Sequence, residues 1–115
     1  MSPSMTARVN HEKHLLIVIA LPLLFSVGLA QAASIERGQA RSTSCAACHG
    51  AKGISALPTM YPDLAGQSVE ELKQALQDFR SGERSDAVMR AQARGLSDQD
   101  IADLAAYYAS LEPRK

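Results

Sequence analysis

Apolar residues after residue 33 recur every three to four positions, which is the spacing of helices with one buried face. The clearest apolar stripe comprises Leu72, Ala75, Leu76 and Phe79. A second stripe comprises Ile101, Leu104, Ala105, Tyr108 and Leu111. Each stripe follows a pair of side chains that can cap a helix N-terminus, Ser68 with Glu71 and Ser97 with Asp100. No segment alternates as a strand would, so the sequence predicts an all-α domain.

Two shorter helices are predicted at 34–43 and 87–94, which gives three to four helices of useful length. Between them, residues 51–67 lack periodicity and contain Gly53, Pro58, Pro62 and Gly66, which is the composition of a loop. So long a loop in so small a domain is usually functional, and wrapping a cofactor is one such function.

Two features of the predicted helices indicate how they pack and which side chains lie in solvent. Gly38 lies inside the first predicted helix, where glycine often marks the close approach of another element. Asp98, Asp100 and Asp103 crowd the first turns of the last helix, where we expect them to cap it and to lie in solvent.

The N-terminal segment resembles an export signal. Arg8 and Lys13 precede a nearly continuous apolar run from Leu15 to Ala30, and residues 30–32 form the small-x-small pattern that signal peptidase recognises. An uncleaved membrane anchor is the alternative, but the run is shorter than the roughly 20 residues that span a bilayer. We therefore expect residues 1–32 to be a cleaved signal peptide and 33–115 to form one domain in the periplasm.

Composition limits what this domain can be. The formal net charge of the chain is zero, so no strong general attraction to nucleic acid or to a membrane surface is expected. The chain has no tryptophan, and Phe79 is its only phenylalanine after the predicted signal peptide. A domain this small often needs a staple, a metal or a cofactor to complete its core.

Residues 45–49 have the spacing C-x-x-C-H, the attachment signature of c-type haem. Two thiols, on Cys45 and Cys48, can add across the two vinyl groups of one haem. The next residue, His49, then lies where its imidazole can bind the iron as an axial ligand. Predicted export is consistent with this chemistry, because covalent haem attachment takes place outside the bacterial cytoplasm.

Other uses of this motif are weaker. A thioredoxin-like redox pair requires a βαβ context, which this sequence lacks. A zinc site requires four ligands, whereas residues 33–115 offer only Cys45, Cys48 and His49. A short-loop disulfide between the cysteines leaves the adjacent histidine unexplained.

His49 is the only histidine after residue 32, so a second axial ligand must be of another type. Met60 and Met89 are the methionine candidates, and lysine, water or an outside group are the others. A ligand on the far face of a haem requires the chain to pass around the ring edge. The helix predicted from Ser68 provides that path for Met89, which makes it the preferred methionine.

With these features in place, residues 33–115 resemble the class I cytochromes c of the small bacterial single-haem type. The matching segments are 45–50 (CAACHG), 61–67 (YPDLAGQ), 87–89 (AVM), 95–98 (GLSD) and 101–108 (IADLAAYY). The resemblance implies the cytochrome c fold, with a long loop around one covalently bound haem, and it implies Met89 as the sixth iron ligand. It also implies that the Pro62 carbonyl accepts the His49 ring proton, and that Gly38 lets the last helix cross closely at Leu104 and Tyr107 or Tyr108. Ser42 departs from the family, which often has an aromatic residue there.

The resemblance and the two filled axial positions predict a carrier of single electrons rather than an enzyme. We expect a periplasmic shuttle that meets its redox partners transiently. The alternatives are an electron-transfer subunit held in a larger dehydrogenase or oxidase complex, and a haem enzyme or gas sensor whose iron Met89 leaves open.

Overall fold

A computed structural model describes residues 31–115 and shows five helices and no strand among them, as the all-α prediction requires. The helices are α1 (Ile35–Arg41), α2 (Thr43–His49), α3 (Val69–Ser81), α4 (Ala87–Ala93) and α5 (Asp98–Ala109). None of the helices in this part of the chain is long and apolar enough to cross a membrane. The predicted signal peptide lies outside the described residues except for its last two.

The first helix predicted at 34–43 is present as α1, and a second helix follows it at once. Ser42 ends α1, because its hydroxyl donates to the Gln39 carbonyl at 2.7 Å and its amide donates to the same oxygen at 3.1 Å. A serine that bonds back to its own helix in this way competes with the regular ladder. The chain then starts α2, a helix that the sequence analysis did not anticipate and that contains the whole C-x-x-C-H motif.

The longer helices begin where the capping residues predicted. The Ser68 hydroxyl accepts from the Glu71 amide at the start of α3. At the start of α5 the Ser97 hydroxyl accepts from the Asp100 amide, and the Asp100 carboxylate accepts from the Ser97 amide. Each such cap satisfies backbone donors that a helix end leaves without a partner.

Helices α1 and α5 cross in contact at Gly38, as predicted. A Cβ atom on Gly38 would collide with the Asp103 carbonyl and lie 2.7 Å from the Tyr107 Cβ atom. Tyr107 rather than Tyr108 is therefore the tyrosine at this crossing. Ser42 is buried at the end of α1.

The expectation that Asp103 lies in solvent is wrong. Its side chain is buried, and the Arg37 guanidinium donates to both of its oxygens, at 2.8 and 3.0 Å. The Ser34 amide donates to it as well. Periodicity on α5 could not reveal this, because the partners lie more than sixty residues earlier, on α1 and its N-cap.

The core lies between α3 and α5. Its buried members are Leu72, Leu104, Ala105, Tyr107 and Tyr108, and Leu64, Leu76 and Leu96 pack against them. The loop between α2 and α3 is tied to this core, since the Gly53 carbonyl accepts from Leu64 and Ala65 and the Gly66 amide donates to the Tyr108 carbonyl. The loop thereby closes one side of a cavity.

Candidate cofactor site

A cavity of about 570 Å³ opens beside the core. Its lining comes from α2, the loop, α3, α4 and α5, and most of it is apolar. Cavities of this size bind small molecules and cofactors in many proteins, usually through an apolar lining with a few placed polar groups. Here the lining includes Cys45, Cys48 and His49, the three chemically active residues of the C-x-x-C-H motif.

The helical form of α2 explains why these three side chains share the cavity. Cys48 and His49 follow Cys45 by three and four positions, so they lie on one face of the helix. Both cysteines are free thiols and partly buried. Burial raises the pKa of the Cys45 thiol, which keeps it protonated at neutral pH.

His49 is buried and held in one orientation. Its Nδ1 atom lies 2.7 Å from the Pro62 carbonyl oxygen, which is the contact that the family resemblance implied. A carbonyl can only accept, so Nδ1 carries the proton and Nε2 is left with a lone pair. The Tyr61 ring stands edge-on to the imidazole, with 6.4 Å between the ring centroids.

Both candidate methionines line the cavity, but their settings differ. Met60 is 66% exposed and lies in a turn of the loop, two residues before Pro62. Met89 is partly buried on α4, where its amide donates to the Asp86 cap at 2.8 Å. Met89 also lines a neighbouring cavity of about 550 Å³, together with Cys45 and Leu104.

Tyr108 is a lining residue that the sequence analysis did not single out as part of the site. It lies within the buried cluster, and its hydroxyl has no hydrogen-bond partner among the described residues. Burial raises the pKa of this hydroxyl and keeps it neutral. The signal in the sequence is its place four residues after Leu104, on the same face of α5.

These residues fit a flat, largely apolar cofactor that carries a metal. The two thiols and the His49 Nε2 atom share one face of α2, and a thioether from Met89 or Met60 can complete the donor set. A bare metal ion fits less well, because no three His, Cys, Asp or Glu side chains within residues 31–115 are grouped so as to bind one.

The chain is similar in sequence to known proteins. The family model described as Cytochrome c matches residues 35–112. The chain is 45% identical to cytochrome c4 of Pseudomonas aeruginosa over 96 residues, which are 83% of this chain and 47% of that protein. It is 45% identical to cytochrome c-554(548) of Halomonas halodenitrificans over 78 residues, which are 65% of this chain and 93% of that protein.

A solved structure agrees with the sequence relatives. Reduced recombinant cytochrome c4 from Pseudomonas stutzeri superposes with a TM-score of 0.66 at 38% identity, over 70% of this chain and 47% of that one. The chain thus spans about half the length of the cytochromes c4 that it matches and nearly all of cytochrome c-554(548).

Proposed function

Because the chain belongs to the cytochrome c family, we propose that it is an exported carrier of single electrons with one haem, and not an enzyme. The cofactor of this family is haem c, bound covalently and containing iron. The observation that carries the proposal is the arrangement on α2, where two thiols and a histidine held through Nδ1 line one cavity. When bound, the haem supplies a one-electron couple between Fe(II) and Fe(III).

Cys45 and Cys48 would attach the cofactor. Each thiol would add across one vinyl group, so that the sulfur would bond to one vinyl carbon and the thiol hydrogen would pass to the other. The thiols are free and both line the cavity, which supports this role. Two thioethers on one short helix would then fix the position of the group relative to His49.

His49 would bind the iron through Nε2. The Pro62 carbonyl, 2.7 Å from Nδ1, accepts the ring proton and so selects the tautomer that leaves Nε2 free. Such a bond also strengthens the imidazole as a donor, since it shifts electron density toward Nε2. Pro62 thus acts on the iron site without touching it.

Met89 is the methionine that we propose as the second protein ligand of the iron. Its thioether would favour the ferrous state and raise the reduction potential. Its partial burial on a capped helix supports this choice over Met60, which is mostly exposed and comes from the same loop as the Pro62 contact. With both His49 and Met89 bound to the iron, little rearrangement would accompany electron transfer and no site would remain for a substrate.

Absorption spectroscopy of the purified protein tests the proposal. We expect a c-type pyridine haemochrome at one haem per chain, and a weak long-wavelength band from the thioether–iron bond. The band should vanish in Met89→Ala and survive in Met60→Ala, which removes a methionine from the same cavity. Carbon monoxide binding by the reduced, unaltered protein at neutral pH would instead indicate an open iron, and absence of covalent haem would refute the proposal.

Periplasmic location is part of the proposal and rests on the N-terminal sequence pattern. Secreted protein should begin at Ala33 when its N-terminus is sequenced. A chain that keeps residues 1–32 and sediments with membranes would contradict cleavage.

A permanent place in a larger redox complex is the second candidate. Leu57, Met60 and Val88 are large apolar side chains that are more than half exposed, and Met60 and Val88 line the cavity. An apolar rim of this kind suits contact with a partner protein. Size-exclusion chromatography of native extract separates the two cases, because a free shuttle elutes near its own mass and a subunit elutes with its complex.

A further inference from the structure

The loop that carries Pro62 has no helix of its own to hold it, yet its carbonyl must stay close to His49. The next residue, Asp63, provides the strongest anchor. Its Oδ1 atom accepts from the Ser55 amide at 2.7 Å. Arg114 donates two hydrogen bonds to the same carboxylate, from Nε to Oδ2 at 2.7 Å and from Nη2 to Oδ1 at 2.9 Å.

Arg114 also makes a hydrogen bond to the backbone of the loop. We call the contacts of Arg114 with Asp63 and Ser55 the clamp. Its Nη2 atom also donates to the Ser55 carbonyl at 2.7 Å, so one guanidinium holds both ends of the segment 55–63. The preceding residue, Pro113, packs on the loop at Gly66, where an added Cβ atom would lie 2.8 Å from the Pro113 Cβ atom. The C-terminal segment after α5 is thus bound to the loop beside Pro62.

The chemistry of the pair agrees with this geometry. Hydrogen bonding from Arg114 is the main cause that lowers the pKa of the Asp63 carboxyl, so the pair stays ionised at neutral pH. A two-point guanidinium–carboxylate contact fixes direction as well as distance, which a single point charge cannot do.

We propose that Arg114 and Asp63 are positioning residues that hold the Pro62 carbonyl against His49 Nδ1 and so set the reduction potential of the iron site. The inference rests on the proposed function, since it assumes that His49 binds the iron. A tight Nδ1 contact makes the imidazole a stronger donor, which favours the ferric state. Loosening the clamp weakens that contact and shifts the couple toward the ferrous state.

A change of net charge near the iron site would shift the potential by itself, so the test uses variants that conserve net charge. Arg114→Lys keeps the positive charge but cannot make the fork to Asp63 and reach Ser55 at once. The double variant D63A/R114A removes both charges together. The side-chain amide of Gln67 donates to the Asp63 backbone carbonyl at 2.6 Å, so the loop keeps an anchor that neither variant removes and both variants are expected to fold.

A matched control exists at the other end of α5, which begins at Asp98. Arg80 also bonds a carboxylate and a backbone carbonyl, Asp98 at 2.7 Å and Leu96 at 3.1 Å, and Arg80 lines neither cavity. Arg80→Lys and the double variant R80A/D98A therefore repeat the chemical changes away from His49.

The experiment is redox titration of the haem-loaded protein, combined with NMR exchange of the His49 Nδ1 proton in the reduced state. In Arg114→Lys and D63A/R114A we expect the reduced-to-oxidised ratio at a fixed solution potential to rise about twofold or more, with faster proton exchange. The Arg80 controls should change neither.

Equal potentials and exchange rates in the clamp and control variants would overturn the inference. A shifted potential without faster exchange would also overturn it, because the cause would then be charge rather than position. An unaltered protein without covalent haem would refute the proposed function itself, and would be recognised before any variant is titrated.

Discussion

Gly38 on α1 and Asp103 on α5 meet backbone to backbone. A Cβ atom on Gly38 would collide with the Asp103 carbonyl, so only glycine fits the crossing. The same aspartate is buried and bound by Arg37 through two hydrogen bonds. Asp103 of α5 thus contacts α1 through both its backbone and its side chain.

The first prediction concerns the space at this crossing. Gly38→Ala forces a methyl group against the Asp103 carbonyl and the Tyr107 Cβ atom, so we expect it to lower the free energy of unfolding by about 2–3 kcal/mol. Gly95→Ala is the matched control, because nothing lies within 4 Å of its added Cβ atom. Denaturant unfolding of the haem-loaded proteins measures both. Equal stability of the two variants would show that α1 and α5 do not cross in contact.

The second prediction is a pH dependence. The Arg37 guanidinium holds the pKa of the Asp103 carboxyl at about 2, below its ordinary value of 3.8. Because the folded pKa is the lower one, the ionised carboxylate stabilises the fold above pH 3.8, and this contribution is lost as the pH falls toward 2. Asp103→Asn should be less stable at neutral pH and should show a shallower loss of stability across that acid range.

The control for the pH prediction lies on the same helix. Asp98 is a mostly exposed carboxylate of α5, so Asp98→Asn should leave the acid slope of the unfolding free energy close to that of the unaltered protein. The measurement is denaturant unfolding followed by circular dichroism at a series of pH values. An unchanged slope in Asp103→Asn would rule out Asp103 as a source of the acid sensitivity.

The sequence predicted those parts of the fold that depend on neighbours along the chain. The starts of α3 and α5 follow from Ser68 and Ser97, because each hydroxyl caps an amide three residues later. The motif at 45–49 is local in the same way, since its spacing on one helix brings the two thiols and the imidazole to one cavity.

The remaining features depend on partners that are distant in sequence. The sequence alone predicts that Asp103 is a solvated residue near the start of a helix, because its partner Arg37 lies far away in the chain. Likewise, nothing beside Asp63 in the chain indicates Arg114, which lies 51 residues later and after the last helix. The division of α1 from α2 is local, but the pattern at Ser42 is too weak to distinguish a break from an ordinary helical serine.

The third prediction concerns the unpartnered hydroxyl of Tyr108. A buried hydroxyl without a hydrogen-bond partner costs about 1–3 kcal/mol, and Tyr108→Phe removes it while keeping the ring. We therefore expect the variant to be as stable as the unaltered protein or about 1 kcal/mol more stable by denaturant unfolding. A clear loss of stability in the haem-loaded protein would contradict this, because it would mean that the hydroxyl has a partner there.

The last prediction distinguishes the effect of core packing on stability from the effect of water in the cavity on the reduction potential. Leu104 and Ile101 are the largest side chains that are fully buried, and both lie on α5. Leu104 lines both cavities, whereas Ile101 lines neither. Shortening either to alanine should lower the free energy of unfolding by about 2–5 kcal/mol, since each leaves a void in the core.

Only Leu104→Ala should change the redox behaviour. Its shorter side chain lets water approach the proposed iron site, which favours the more highly charged ferric state and lowers the reduction potential. Ile101→Ala should lose comparable stability and keep the potential, because its void opens away from the cavity. Redox titration beside denaturant unfolding decides the matter. A potential that falls equally in both variants would show that it follows global stability, and the wall formed by Leu104 would then have no separate role in tuning the site.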